Sequence, residues 1–382
     1  MNIRVVLKGY YQAWSASTRL DEAGDIHCLL SNNRGEIERV DSSGERSSIA
    51  LGHDADVIDL NIESSQGLLA TASRDHTVGV FELSEKQDQV RERVRIKEFP
   101  LYPRRVRFGA RRETLCIADR LGNVYFAPLD RLLQQEDSLA AQWPALHSRK
   151  AALVCLVAGL DAAGEEVFYT AGYDGDVRRF CKSRAGQQPW VEDRVYEVPK
   201  QKGSKGNEKT IRALILPPES SHSLFRGSLL AGTEGGQLVA FNLDDKAIRF
   251  TVEIGEPVFS VDVHPERSQL AIGSSNGGVK VYEFDDQRKA QLLFQKVMDC
   301  QDIVRNIRYL PNQQLFVASW SGRIEIFESQ DGQQTWFNDP GKDHWDPSRD
   351  DGCLIFDKTE VDKIRMLSPR FLDYLKSLST QA

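Results

Sequence analysis

The sequence predicts an all-β fold, a seven-bladed β-propeller followed by a short C-terminal helical extension. Three observations predict it: one hairpin-like pattern occurs seven times, its copies lie 41 to 61 residues apart, and the pattern ends near residue 329 of the 382-residue chain. A period of about 40 to 45 residues is typical of four-stranded propeller blades, and insertions explain the longer gaps. We therefore assign residues 1–329 to the propeller. Residues 330–382 form an extension made of a polar linker and amphipathic helices.

The repeated pattern is an apolar run, a polar turn and a second apolar run. Residues 68–83 show it clearly as LLATASRDHTVGVFEL. The seven copies cover residues 28–40, 68–81, 114–127, 167–180, 229–241, 269–282 and 314–327. Their turn positions are Gly35, His76, Gly122, Gly175, Gly236, Gly277 and Gly322.

Each copy has the features of a β-hairpin. Glycine in the turn supplies the positive φ that a tight turn needs. After the turn, as in Arg323 to Phe327, apolar and polar residues alternate with the period of two that a half-buried strand shows. A further short strand precedes several copies, for example at residues 258–265 and 304–311. Three strands per blade are thus visible, and the fourth is inferred.

The chain from about residue 3 to residue 329 resembles the WD40 repeat family, most clearly in the repeat GHDADVIDLNIESSQGLLATASRDHTVGVFEL. In that repeat Gly52 and His53 match the family's Gly-His pair, and Ser73 matches its strand serine. Asp75 matches its turn aspartate, while Phe81 stands where the family has tryptophan. The resemblance implies a closed propeller. It also implies a noncatalytic interaction scaffold whose rim and tail hold one or more other proteins in a complex.

Closure of the ring requires that the sheet edges of the last blade be paired, because free edges invite association with other chains. Ile3 to Leu7, IRVVL, is predicted to be the outer strand of the seventh blade, with YYQAWSAS beginning the first. Cys353 to Phe356, CLIF, is the competing candidate for the closing strand.

Composition argues against several classes of function. Lys and Arg number 49 against 56 for Asp and Glu, and the net charge of −7 argues against a surface dominated by nucleic-acid or anionic-membrane binding. The N-terminus lacks the apolar core of a signal peptide, and no run reaches the roughly 18 apolar residues of a membrane span. We expect a cytoplasmic protein that binds no membrane. The sequence does not indicate whether the chain forms oligomers.

The reactive residue types form no recognisable catalytic or metal-binding motif. The six cysteines contain no CxxC pair and several lie in apolar runs, which predicts buried reduced thiols. The seven histidines show neither HxH nor HExxH spacing. Glycine-rich stretches at residues 232–237 and 274–280 lie between strands, whereas a phosphate-binding loop opens a helix. No motif names a nucleophile, so we predict no enzyme, no cofactor and no metal.

The hairpin tips are the best candidate for a partner-binding surface. All seven tips between the second and third strands must point to the same rim, so the residues just before the turn form a ring. This ring comprises Asn33, Arg74, Arg120, Tyr173, Glu234, Ser275 and Trp320. Arg, Tyr and Trp are enriched at binding hot spots, which makes Arg74, Arg120, Tyr173 and Trp320 the predicted partner-binding residues. Alternatively, these side chains fold over neighbouring loops or plug the central channel.

A second candidate surface is basic. The run YPRRVRFGARR is split between two faces if VRF is a first strand, and a Lys-rich loop follows near residue 200. The candidate residues are Arg104, Arg105, Arg107, Lys200, Lys202 and Lys205. Together they could form a phosphate-binding edge, and the chain would then be a nucleic-acid-associated accessory subunit. A solvated surface is the alternative.

Two insertions and the tail depart from a bare propeller. A short helix is predicted within residues 130–148, and a mobile loop at residues 198–210. The tail is predicted to contain two helices that meet at Ser368, an N-cap followed by proline. An apolar stripe on the second helix comprises Phe371, Leu372, Leu375 and Leu378. This stripe docks either on the chain's own propeller or in a partner's groove.

Overall fold

The computed structural model describes residues 3–6, 13–20, 26–41, 44–84, 89–135, 137–147, 152–183, 189–199, 206–298, 302–328, 332, 334–338 and 353–356. Within them, the strands form seven consecutive sheets of four strands, one of which carries a fifth, and a separate two-stranded sheet. The seven sheets are the blades of a propeller. The predicted all-β fold class and the number of blades are therefore confirmed.

The strands are numbered along the chain, and the first strand of each blade lies against the first strands of its neighbours around the central channel. The chain begins with β1 (Ile3–Val6). Blade 1 contains β2 (Ala13–Leu20), β3 (Ile26–Asn32), β4 (Glu36–Val40) and β5 (Arg46–Ala50). Blade 2 contains β6 (Val57–Glu63), β7 (Leu68–Ser73), β8 (Val78–Leu83) and β9 (Val90–Lys97). Blade 3 contains β10 (Pro103–Phe108), β11 (Thr114–Asp119), β12 (Asn123–Pro128) and, after the short β13 (Asp137–Leu139), β14 (Ala145–His147).

The second half of the ring repeats the same order. Blade 4 contains β15 (Leu153–Leu160), β16 (Glu166–Gly172), β17 (Asp176–Lys182) and β18 (Trp190–Glu197). Blade 5 contains β19 (Ile211–Ile215), β20 (Ser228–Thr233), β21 (Gln237–Asn242) and β22 (Ile248–Glu253). Blade 6 contains β23 (Val258–Val263), β24 (Gln269–Ser274), β25 (Gly278–Phe284) and β26 (Ala290–Val297). Blade 7 contains β27 (Val304–Tyr309), β28 (Leu315–Ser319), β29 (Ile324–Phe327) and β30 (Gln334–Asn338), and β31 (Cys353–Phe356) follows it.

The hairpin turns form where the sequence predicts them. All seven predicted turn residues have positive φ, from 68° at His76 to 95° at Gly122. Gly35 shows why glycine is used, because a Cβ built there would lie 2.4 Å from the carbonyl oxygen of His53. Only glycine combines this backbone conformation with so close an approach to a neighbouring main chain.

The hydrophobic core lies between neighbouring blades. Middle strands are covered on both faces, and β7 is buried at every position. Between blades 3 and 4, the ring of Phe126 stacks on Trp190 with centroids 4.5 Å apart and also contacts Phe168 and Phe180. This aromatic cluster therefore stabilises the contact between blades 3 and 4.

The ring closes differently from the prediction. The outer strand of blade 7 is β30, which is antiparallel to β29. The two predicted closing strands, β1 and β31, pair with each other instead. The prediction of β1 as the outer strand of blade 7 was wrong because the chain soon after Phe327 supplies a fourth strand of its own, and that strand already pairs with the edge of β29.

Packing and hydrogen bonds, rather than a shared strand, join blades 7 and 1. Asn306 Nδ2 donates to the carbonyl of Ala16 at 3.0 Å. Arg46 Nη2, on the outer strand of blade 1, donates to the carbonyl of Gly322 in blade 7 at 2.6 Å. Phe316 is fully buried in the apolar cluster of the same interface. The polar contacts fix the register in which the two blades meet.

The insertion within blade 3, between β12 and β14, contains the predicted short helix. Helix α1 spans Leu129–Leu132 and buries two leucines. Strand β13 then pairs in parallel with β9, so the insertion extends blade 2, which was not predicted. In the second insertion, Gly206–Lys209 form a 3₁₀ helix and residues 200–205 lie outside the described residues.

The predicted tail helices also lie outside the described residues, including Phe371, Leu372, Leu375 and Leu378. Of the predicted extension, the structure describes Gly332, β30 within blade 7, and β31. In the described part of the chain, no helix has the length and apolar character needed to cross a membrane.

Blade 2 contains the hydrogen-bond network that the WD40 resemblance implies. His53 Nδ1 lies 2.8 Å from Asp75 Oδ2, and His53 Nε2 lies 2.9 Å from Thr71 Oγ1. The hydroxyl that meets the histidine is thus Thr71, whereas Ser73 donates to the carbonyl of Ala55. Phe81, in the place of tryptophan, has no N–H with which to extend the network.

The stability of the propeller is expected to fall as the pH drops from about 4 to about 2. Burial opposes ionisation of Asp75, but hydrogen bonds from His53, Thr77 and the N–H of Asp54 outweigh it and lower the pKa of this carboxyl to about 2. A folded-state pKa below the unfolded value stabilises the fold above the unfolded pKa. This contribution, about 2 kcal/mol, is lost as the pH falls through the folded value.

Urea unfolding of the wild type and Asp75→Asn across this pH range measures the effect. Asp54→Asn, at an exposed neighbouring position, is the matched control and should keep the wild-type slope. The same loss of stability with falling pH in Asp75→Asn and the wild type would contradict the assignment.

Candidate functional site

The first strand of every blade carries one extra residue at the same place. In blade 7, for example, Val304 is opposite Ser319 and Asn306 is opposite Ala318, which leaves Arg305 between them without a partner. The corresponding bulged residues are Trp14, Ile58, Arg104, Val154, Arg212, Phe259 and Arg305. A bulge re-aims the side chain of the extra residue. Seven such residues therefore surround one end of the channel.

The hairpin tips are tied to the same end of the channel. The N–H of Trp320 donates to the carbonyl of Ile303 at 2.8 Å, and the N–H of Tyr173 donates to that of Ala152 at 3.2 Å. Arg74, Arg120 and Glu234 make the equivalent bond in their own blades. In each case the acceptor is at or next to the residue before the first strand, so tips and bulges form one rim.

Aromatic rings and guanidinium groups alternate around this rim. The rings of Trp14 and Trp320 have centroids 5.7 Å apart. Arg305 lies 4.9 Å from the Trp320 ring and 5.6 Å from the Trp14 ring. Phe259 lies between Arg305, at 5.8 Å, and Arg212, at 6.0 Å.

The alternation continues through blades 2 to 5. Arg212 lies 5.0 Å from the ring of Tyr173, and Arg104 lies 5.8 Å from the same ring. Tyr102 is approached by Arg120 at 5.5 Å and by Arg74 at 5.7 Å. We call this set the mouth ring: Trp14, Arg74, Tyr102, Arg104, Arg120, Tyr173, Arg212, Phe259, Arg305 and Trp320.

The mouth ring is strongly electropositive. Burial, together with the neighbouring charges of Arg105, Arg104 and Arg212, lowers the pKa of Arg305 to about 10. Burial alone would raise the pKa of Tyr173, but Arg104 and Arg212 outweigh it and lower that pKa. The lowered pKa of Tyr173 therefore reflects the positive charge of these two arginines at the mouth of the channel.

The channel contains a cavity of about 400 Å³ that is open to solvent, and Trp14, Arg212, Phe259 and Arg305 of the mouth ring are among its lining residues. Polar side chains of the first strands line it, including Asp59, Asn61 and Arg107. Asp59 accepts hydrogen bonds from Arg107 Nη1 at 2.5 Å and from the N–H of Val106 at 3.0 Å. The Asp59 carboxylate therefore links blade 2 to blade 3 through hydrogen bonds.

The structure brings the four predicted rim residues to the mouth ring. Arg74 and Arg120 flank the same tyrosine, and Tyr173 is 41% exposed. Trp320 is half-buried against Trp14. The side chains thus partly cover one another and still present aromatic surface to solvent.

Several residues of the mouth ring were missed by sequence reasoning. They are Trp14, Tyr102, Arg212, Phe259 and Arg305. Most of them could have been found from their position in the repeat. They are the second residue of the first strand of their blade, and this position occurs once in every blade. Tyr102 lies just before β10 and carries no such signal.

The structure describes only the arginines of the predicted basic edge. Arg104 belongs to the mouth ring, while Arg105 and Arg107 line the channel. As predicted, the basic run is split, because Arg111 and Arg112 lie in the turn after β10 and pair with Glu165 and Glu63. Lys200, Lys202 and Lys205 lie outside the described residues.

The described residues contain buried thiols and no metal-binding cluster. Across that part of the chain, no group of three or more His, Cys, Asp or Glu side chains could hold a metal ion. Cys28, Cys116 and Cys155 are buried free thiols, as predicted. Burial raises the pKa of Cys28 to about 12, so this thiol is protonated and unreactive at neutral pH.

Similar structures share the propeller fold. The crystal structure of Saccharomyces cerevisiae Sqt1 matches with a TM-score of 0.64 at 15% identity, covering 87% of each chain. The WD40 repeats of RRP9 match with a TM-score of 0.60 at 15% identity, over 83% of this chain and 89% of that one. A chain of the mitotic checkpoint complex matches with a TM-score of 0.61 at 11% identity, over 86% and 94%.

No protein-family model and no curated protein sequence matches the chain. The strand topology and the similar structures define the fold class: the chain is a seven-bladed β-propeller.

Proposed function

We propose that the chain is a noncatalytic scaffold subunit of a multiprotein complex, located in the cytoplasm, and that it binds a protein partner through the mouth ring. The observation that carries this proposal is the concentration of Trp, Tyr and Arg side chains around one end of the channel. These residue types are enriched at binding hot spots near the centre of interfaces.

The position of the mouth ring supports the proposal. Most of its members lie on first strands or on hairpin tips that hydrogen-bond to the chain beside those strands. The surface is therefore rigid before binding, and little conformational entropy is lost when a partner docks. One chain of similar fold comes from a structure named as the mitotic checkpoint complex, which agrees with a role of this fold within an assembly.

Replacing Trp320 by alanine tests the proposal. If Trp320 is a central anchor, the variant should bind the partner about thirtyfold more weakly, a loss of about 2 kcal/mol. The partner is first identified by co-purification from the native cell and mass spectrometry, and its affinity is then measured by calorimetry.

Leu292→Ala is the matched control, because Leu292 is 50% exposed on the outer strand of blade 6 and far from the mouth. It should leave the affinity unchanged. Circular dichroism establishes that Trp320→Ala is folded. Unchanged partner affinity in the folded Trp320 variant would remove the mouth ring as the binding surface.

A nucleic-acid-associated accessory subunit is the second candidate function, because arginines converge at the mouth. Binding to phosphate backbones releases counterions, so it should weaken steeply between about 50 and 200 mM salt. Titration of generic RNA or DNA over that range distinguishes the two functions. Tight binding with a steep salt dependence favours the second candidate, and its absence favours the scaffold.

A further inference from the structure

We propose that the mouth ring recognises a phosphate group carried by an extended segment of the partner protein. This inference rests on the proposed function and names the chemistry of the partner at the same site. It depends on the charge of the mouth ring, on the way its guanidinium groups are held, and on the small extent of the positive surface.

The guanidinium groups of the mouth ring differ in their carboxylate partners. Among the described residues, Arg74 pairs with Asp56, at 3.4 Å, and Arg212 pairs with Glu234. Among the described residues, no carboxylate oxygen lies within 4.0 Å of the guanidinium nitrogens of Arg104 or Arg305. In the same set of residues, Arg305 Nε is buried and has no hydrogen-bond acceptor. Asp302 acts on Arg305 from beyond this distance, so an anion from outside would be the first direct charge partner of Arg305.

The guanidinium groups are held in place before any ligand arrives. Arg305 lies over the rings of Trp14, Trp320 and Phe259. Contact between a guanidinium face and an aromatic ring leaves the in-plane N–H donors available to form a fork toward two oxygen atoms. A phosphate monoester offers three acceptor oxygens and a charge of about −1.5 to −2, which suits several converging arginines better than one carboxylate does.

Two observations favour a protein ligand over a nucleic acid. Sites for single strands use aromatic faces as platforms for bases, but Trp14 and Tyr173 are each approached by two arginines. The whole chain carries a net charge of −7, which disfavours a polyanion that extends beyond the mouth. A protein segment with one phosphate presents its charge at a single point.

The test measures binding of the full chain to three degenerate peptide libraries, which carry phosphoserine, serine or glutamate at a fixed central position. We expect the phosphoserine library to bind at least tenfold more tightly than the other two. Arg305→Gln and Arg104→Gln should each weaken it by about tenfold to a hundredfold, because each removes charge-assisted hydrogen bonds. Arg91→Gln removes the same charge from an exposed position on β9 and should change nothing.

Melting temperature separates loss of binding from loss of folding. The depressed pKa of Arg305 means that the folded state disfavours its charged form. Arg305→Gln should therefore leave the melting temperature unchanged or raise it while binding is lost. A lowered melting temperature together with lost binding would show that Arg305 is structural and would overturn its assignment to the ligand.

Other outcomes would also overturn the proposal. Equal binding of the phosphoserine and serine libraries, or of the phosphoserine and glutamate libraries, excludes recognition of phosphate. Inorganic phosphate that binds as tightly as the phosphoserine library excludes the protein segment as the ligand. Tighter binding of oligo(dT), lost in Arg305→Gln, assigns the site to nucleic acid. If phosphatase treatment leaves partner affinity intact while Trp320→Ala abolishes it, the scaffold function stands and the phosphate proposal fails.

Discussion

Replacing Arg46 by alanine is expected to lower the free energy of unfolding by about 3 to 5 kcal/mol, because it breaks a buried ion pair. Arg46 Nη1 donates to Glu38 Oε2 at 2.5 Å, and the two side chains are only 5% and 2% exposed. Arg46 Nη2 also donates to the carbonyl of Gly322, so the same side chain ties blade 1 to blade 7. Chemical denaturation followed by tryptophan fluorescence measures the loss.

Two further variants test the cause of that loss, and a deletion tests how the ring closes. The double variant Glu38→Leu with Arg46→Met removes both charges and should cost less than Arg46→Ala. Arg91→Ala, whose side chain is 80% exposed, should change stability by less than about 0.5 kcal/mol. Deletion of residues 1–8 removes no strand of any blade. It should therefore lower the free energy of unfolding by less than Arg46→Ala does. A deletion more damaging than Arg46→Ala would contradict closure without a shared strand.

Phe126→Ala is expected to destabilise the fold by about 3 to 5 kcal/mol. Phe126, on blade 3, is almost fully buried against three aromatic side chains of blade 4: Phe168, Phe180 and Trp190. Alanine would leave a cavity between the blades and would also remove aromatic pairs worth about 0.5 to 1.5 kcal/mol each. Equilibrium denaturation checks the magnitude.

Phe126→Leu is the conservative control, and it should cost clearly less because it keeps most of the buried volume. Ile248→Ala, at a position 44% exposed on β22, should have little effect. If Phe126→Ala cost no more than Ile248→Ala, the interface between blades 3 and 4 would not be the stabilising core described above.

The repeat architecture can be predicted from the sequence because each hairpin requires particular residue types at its turn and in its strands. The turn positions from Gly35 to Gly322 all adopt positive φ, and only a few residue types tolerate that conformation. Alternation of apolar residues then fixes which strands bury which face. These are local requirements, so a single sequence is enough to find them.

The closing strand and the mouth ring depend on contacts that the sequence does not display. Whether β1 or β30 pairs with β29 is decided by competition between distant segments. A bulge such as Arg305 becomes visible only when the register with the neighbouring strand is known. Likewise, Thr71 rather than Ser73 meets His53 because of the direction of the side chain, which a motif match does not specify.

Photo-crosslinking to the co-purified partner is the most direct test of the mouth ring as the binding surface. A photoreactive residue is placed at Leu121, which is 40% exposed on the tip beside Arg120, or at Leu292 on the outer strand of blade 6. Neither substitution alters the mouth ring itself. We expect partner adducts from position 121 and none from position 292. Adducts from position 292 alone would contradict the assignment of partner binding to the mouth of the channel.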